Sequence, residues 1–323
     1  ANLMMAALGT ETDGSIVCPS SVCGVVGIKP TLGLVSQSGV IPIAHSQDVV
    51  GVHGRTVAAA AAVLEAIVEA GGGGSVARQY VAALGPEALR DARIGVLRQH
   101  FCGYSPAADA LFAEALRALA ACGATLHDPA LLPSAGELTT STAELTVLHH
   151  EFHADLDAYL ASRADPNVRS LEDVIAFNLA HADEEMPHFG QEHMEAAVEK
   201  GGLDDPDYVA ARAECLRLSR TEGLDAVLDG HHLDAVVSLT GGPAWPLDES
   251  DDDHDTGASA LAAMAGYPAV TVPMGMVADQ LPVGITFTGR AFAEAALLGL
   301  AFAFEQATRA RRSPRLLSTL TKG

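Results

Sequence analysis

The run Gly9-Thr10-Glu11-Thr12-Asp13-Gly14-Ser15-Ile16-Val17-Cys18-Pro19-Ser20-Ser21 constrains this chain more than any other stretch. It is a turn of small residues carrying an exposable hydroxyl, Ser15, and it leads straight into the apolar segment Ile16 to Ile28. That segment reads as a short buried helix followed by a buried strand. A serine so placed sits at the rim of a packed core. In a tight turn the consecutive backbone N–H groups of Thr12, Asp13, Gly14 and Ser15 can point at one spot and stabilise a developing oxyanion. Gly14 allows close backbone approach, and Asp13 is one of the few non-glycine types that tolerate a left-handed conformation. Spacing alone is equally served by a structural turn serine, so both readings stay open at this point.

The rest of the chain has to supply the layers that bury this segment. Ala1 to Leu8 reads as the tail of a small-residue helix. Arg55 to Glu69 is a helix apolar enough to be buried on most sides, followed by a flexible break at Gly71 to Ser75. Ala92 to Arg98 is a strand. Ser105 caps a helix with Pro106 at its first position and Gly123 beyond its end. Ala124 to His127 is a second strand, which gives a β-α-β unit with parallel pairing. The segment 137–220 is mostly helical, a cap or insertion, with a helix start at Asp205-Pro206. Leu233 to Leu239, Pro268 to Pro273 and Val283 to Thr288 are strands. Ala258 to Ala265 is a helix stopped by Gly266. Phe292 to Arg311 is a closing helix whose last turn is basic. The expected class is α/β, a mixed twisted β-sheet with helices on both faces, built as one domain over residues 1–323.

With 323 residues, 49% hydrophobic and 19% charged, the chain can bury roughly 75% of its unfolded surface. No apolar run approaches the roughly 20 residues of a membrane span. The net charge is -22, and the longest basic cluster is Arg309 to Arg312. No nucleic-acid partner is expected, because phosphate binding needs clustered Lys and Arg. The five cysteines, Cys18, Cys23, Cys102, Cys122 and Cys215, contain no Cys-x-x-Cys pair. They read as buried free thiols rather than disulfides or metal ligands. That tilts the compartment toward a reducing, cytoplasmic one without excluding secretion.

Gly9 to Thr31 resembles the amidase signature family, whose run reads G-T-D-x-G-G-S-I-R-x-P-x-x-x-x-G-x-x-G-x-K-P-T. Matching positions are Gly9, Thr10, Gly14, Ser15, Ile16, Pro19, Gly24, Gly27, Lys29, Pro30 and Thr31. Glu11, Asp13 and Val17 are similar to the peptide amidase branch. The resemblance continues through Phe189-Gly190-Gln191-Glu192, Ala265-Gly266-Tyr267-Pro268 and Leu281-Pro282-Val283-Gly284. It implies hydrolysis of a carboxamide, such as a peptide C-terminal amide, to carboxylate and ammonia through an acyl-Ser15 intermediate. Thr12, Asp13, Gly14 and Ser15 would supply the oxyanion hole. No cofactor and no metal are implied. The partner is a small amide or amidated peptide.

The family's nucleophile works with a bridging serine and a neutral lysine. Both lie upstream of the matched run, so the resemblance implies an N-terminally incomplete chain. One alternative is therefore a catalytically incompetent fragment or a non-enzymatic remnant. Another is a glutaminase similar to the glutamine-hydrolysing component of tRNA amidotransferases. Of the three lysines, Lys29 belongs to the Gly-Ile-Lys-Pro-Thr framework, and Lys200 and Lys322 read as exposed. His45 is the nearest histidine candidate for a base. His149-His150-Glu151-Phe152-His153 lacks the His-Glu-x-x-His spacing and reads as a solvated helix face. The acidic run Asp251 to Asp255 lacks the glycine and distal glutamate of a calcium loop and reads as solvated.

Overall fold

The computed structural model describes residues 2–68, 79–103, 105–163, 167–245 and 258–315. In chain order the elements are β1 (Ala6–Glu11), α1 (Val17–Val22), β2 (Val26–Lys29), β3 (Val49–Gly54), α2 (Val57–Ile67), β4 (Arg93–Val96), α3 (Pro106–Ala121) and β5 (Thr125–His127). Next come α4 (Ala135–Leu138), α5 (Ala143–Ala161), α6 (Leu171–Ala180), α7 (Ala182–Glu185), α8 (Glu192–Val198) and α9 (Pro206–Leu216). A π-helical segment (Arg217–Leu224) leads into α10 (Asp225–Gly230). The chain closes with β6 (Ala235–Leu239), α11 (Ser259–Ala265), β7 (Ala269–Val277), β8 (Leu281–Thr288) and α12 (Glu294–Thr308).

The strands form one open, mixed sheet in the order β1-β3-β2-β7-β8-β6-β4-β5. β4 runs parallel to β5 and β6, as the β-α-β reading predicts, and the other pairs are antiparallel. Alternation along β7 explains the two layers. Val270, Val272 and Met274 enter the main core with residues of α2, α3 and α12. Ala269 points the other way and packs with Val17 of α1 and Ala262 of α11. With both faces covered, the central strands read as continuous apolar runs. Thr240, Thr271 and Thr286 are buried, and the Thr240 hydroxyl bonds to those of Thr271 and Thr286 at 2.8 Å each.

Two elements differ from their sequence reading. The N-terminal segment is not a helix: residues 6–11 form edge strand β1, paired with β3 from Ala6–Gly54 to Glu11–Val49. Alanine favours a helix by propensity, and pairing with β3 some forty residues further on overrides that preference. The last helix ends at Thr308, and Arg309 adopts a left-handed conformation (φ 46°). The basic residues therefore lie past the helix rather than in its last turn. Among the cysteines, only Cys215 is buried; Cys23 is exposed, and all five are free. The expected break at 71–75 and the acidic run at 251–255 lie outside the described residues.

α2 starts where Thr56 Oγ1 accepts the Ala59 N–H at 3.2 Å. Thr56→Ala should lower unfolding stability by about 1 kcal/mol, and Thr56→Ser should restore most of it. A urea midpoint measurement reads the difference.

Candidate active site

β1 ends at Glu11, and this carboxylate organises the turn after it. It is 1% exposed. Its Oε2 accepts the N–H groups of Ile16 at 2.7 Å and Val17 at 3.0 Å. Burial raises its pKa, against the opposing pull of Lys29 and the two N–H groups. The intervening residues bulge out as a turn. Gly14 takes the left-handed conformation (φ +83°), and a Cβ there would stand 3.1 Å from Ser259 Oγ. The left-handed residue is thus Gly14 and not Asp13, which does not adopt a positive φ.

Ser15 is exposed at the end of this turn. Among the described residues its hydroxyl has no hydrogen-bond partner. The N–H groups of Thr12, Asp13, Gly14 and Ser15 likewise donate to no described residue. Four N–H donors without a partner among the described residues thus lie within three residues of an exposed hydroxyl, a combination suited to stabilising an anionic oxygen. Lys29 is fully buried instead, donating to the Tyr267 carbonyl at 2.9 Å and the Pro30 carbonyl at 3.4 Å. Burial lowers its pKa to about 8, while the charges of Glu11, Glu294 and Asp13 hold it up. Lys200 is half-buried rather than exposed, and Lys322 lies outside the described residues.

Loop 43–48 buttresses the turn. Asp48 Oδ1 accepts the Thr12 hydroxyl at 2.6 Å, and Asp48 Oδ2 accepts the N–H groups of Ile43 and Ala44. Gln47 Nε2 donates to Glu144 Oε1 at 2.8 Å and lies 3.4 Å from the Thr12 carbonyl. Burial raises the pKa of Asp13, against the opposing influence of Ser259 and Lys29. Burial, then the charge of Asp13, pushes Glu144 up to about 8.

Among the described residues no hydrogen bond joins Ser15 to His45. Its Nδ1 lies 2.8 Å from Asp155 Oδ2, and that hydrogen bond raises its pKa. α5 is no solvated face either: His150 and Glu151 are buried. Glu151 Oε2 accepts the Ser46 N–H and Oε1 accepts the Tyr208 hydroxyl. The helix is solvated on one side and pinned to loop 43–48 on the other, a placement that local spacing does not encode. His45, Glu151 and Asp155 lie close enough to share an ion, as do His153, Asp157 and Glu172.

Glu11, Glu144, Asp48 and Ser259 are site residues that sequence reasoning missed. Glu11 carried a signal, being with Asp13 one of two acids in a run of small residues and hydroxyls. The others carried none, since their proximity comes from tertiary packing.

Residues 1–298 match the Amidase family. A probable amidase of Arabidopsis thaliana is 34% identical over 98% of this chain and 60% of its own length. The glutamyl-tRNA(Gln) amidotransferase A component of Latilactobacillus sakei is 32% identical over 94% of this chain and 64% of its own length. The crystal structure of the native peptide amidase from Stenotrophomonas maltophilia superposes with a TM-score of 0.91. It is 45% identical, and the match covers 98% of this chain and 65% of that one. The chain thus spans less than two thirds of the length of these relatives. Fold, motif order and relatives agree, and the chain belongs to the amidase family, with a structure similar to that of a peptide amidase.

Proposed function

We propose that the site hydrolyses a carboxamide, with a peptide C-terminal amide as the preferred class, through an acyl intermediate on Ser15. The single observation that carries this reading is the exposed Ser15 hydroxyl next to four N–H groups without partners among the described residues. Ser15 Oγ attacks the amide carbon, and Thr12, Asp13, Gly14 and Ser15 donate to the oxyanion. Ammonia leaves with one added proton, and water then releases the carboxylate. The proton relay is assigned to a neutral lysine and a bridging serine in the part of the relatives' length that this chain does not span. No described lysine or histidine is hydrogen-bonded to Ser15.

The amidotransferase reading rests on relatives such as that of Latilactobacillus sakei. The surroundings of Ser15 favour the peptide amide. A glutamine carries an α-carboxylate, and among the described residues no Lys or Arg is hydrogen-bonded to the Ser15 turn to receive it; Lys29 donates to the Tyr267 and Pro30 carbonyls. The test uses the full 323-residue chain with a C-terminally amidated peptide, free glutamine and a fluorophosphonate probe. Ammonia from the peptide, with the probe mapped to Ser15 and both signals absent in Ser15→Ala, supports the proposal. A folded, monodisperse chain that neither labels nor turns over makes it a non-catalytic amidase-family body. Release from glutamine alone favours the second reading.

A further inference from the structure

We propose that His153, Asp157 and Glu172 form a divalent-metal site of zinc type that joins α5 to α6. The site lies outside the Ser15 machinery and goes beyond the amide chemistry assigned to it.

One helix places two of the ligands. His153 and Asp157 stand at i and i+4 on α5, so both side chains lie on one face, a turn apart. The third ligand, Glu172, comes from the first turn of α6. His153 Nε2 lies 3.7 Å from Asp157 Oδ2 and 3.7 Å from Glu172 Oε1. All three atoms lie within 4.8 Å of one another. These separations are too long for hydrogen bonds and close to those of ligands on a shared ion. Donors about 2.0–2.2 Å from a tetrahedral zinc stand about 3.3–3.6 Å apart, and small side-chain rotations close the difference.

The backbone beneath the ligands is fixed. Asp157 Oδ1 accepts the Leu171 N–H at 2.8 Å, which leaves Oδ2 for an ion and ties the residue before Glu172 to α5. Leu171 itself is fully buried in a small core with Leu156 and Ala197. Charge points the same way. Among the described residues the only cationic partner of either carboxylate is the His153 imidazole, charged only when protonated. Like charges this close disfavour each other, and a divalent ion neutralises both. One imidazole nitrogen and two carboxylate oxygens suit zinc, which keeps an open position for water when a protein supplies three ligands. Magnesium and calcium favour all-oxygen sets.

The cluster of His45, Glu151 and Asp155 has the same residue types but is closed by hydrogen bonds. His45 Nδ1 lies 2.8 Å from Asp155 Oδ2, and that oxygen and Glu151 Oε2 already accept the N–H groups of His45 and Ser46. The α5–α6 cluster has the room that this one lacks.

The experiment titrates the EDTA-stripped chain with zinc against a chromophoric chelator and follows amide exchange. The wild type should take up one zinc ion, and zinc should slow exchange of residues 171–175. Glu172→Gln and Asp157→Asn should weaken binding by about tenfold or more, the scale on which metal sites respond even to changes around their ligands. His153→Ala should lose the zinc-induced protection of α6. Glu172 is exposed, and Asp157→Asn keeps the oxygen that accepts from Leu171, so both metal-free variants should unfold at the wild-type denaturant midpoint. Cys23→Ser and His193→Asn should bind zinc as the wild type does. Equal zinc affinity in the wild type, Glu172→Gln and Asp157→Asn overturns the proposal. So does zinc uptake that is lost in Cys23→Ser or His193→Asn instead, or protection of α6 by magnesium or calcium and not by zinc.

Discussion

Glu11→Ala should lower the unfolding free energy by about 3–5 kcal/mol and abolish labelling of Ser15 in whatever chain remains folded. Two buried N–H groups, Ile16 and Val17, lose their acceptor at once. Each unsatisfied buried donor costs about 1–3 kcal/mol. The same substitution removes one of the carboxylates whose charge acts on Lys29, and a less compensated buried cation adds to the loss. The effect on the site follows from the same bonds, which fix where α1 begins and hence where Ser15 emerges. Glu11→Gln retains one acceptor oxygen and should lose less than half as much. A denaturant titration of the three chains beside a probe-labelling assay reads both effects. Equal stability of Glu11→Ala and wild type would remove Glu11 from its organising role.

Lys29→Met is expected to lower stability at pH 7 by about 3 kcal/mol, the lower end for breaking a buried charge arrangement. Lys29 is fully buried between carboxylates, with Glu11 and Glu294 each 1% exposed. Methionine fills a similar volume but neutralises neither, and the Glu11 carboxyl is pushed further up. The pH dependence has a sign that sets it apart from a packing defect. The lysine value falls from 10.5 to about 8 on folding. Between those values the unfolded chain binds more protons, so this group's contribution to stability rises with pH from about 8 to 10.5. Wild type should show that rise in denaturant midpoints, and Lys29→Met should not. A variant with the wild-type pH profile would mean that Lys29 is not the group titrating in that window.

Much of this architecture was legible beforehand for identifiable reasons. Ser105-Pro106 with Gly123, and Gly266 after α11, are local signals whose physics is complete within one turn of helix. The Gly9 to Thr31 run made the turn, α1 and β2 legible because the three are contiguous. β1 escaped because a strand is defined by its partner, here β3. The clamp around the turn escaped for the same reason. Asp48 accepts from Thr12, Gln47 donates to both the Thr12 carbonyl and Glu144, and Ser259 packs on Gly14, from segments far apart in the chain. His150 and Glu151 looked solvated because nothing in their own neighbourhood announces loop 43–48 lying against them.

The position of β2 in the sheet also bears on how the protein is made. β2 pairs with β7 at Gly27–Thr271, and Ser21 Oγ of α1 accepts the N–H of Gly284 in β8. The support beneath Ser15 is thus contributed by strands that lie most of the chain's length further on. During synthesis, α1 and β2 leave the ribosome well before the strands that will hold them. At roughly 5–20 residues per second that gap is on the order of 10–50 s. Contacts of such long sequence separation also slow folding itself, because loop closure precedes any gain from pairing. Residues 12–16 are therefore among the first described residues to be synthesised and among the last to be set in place.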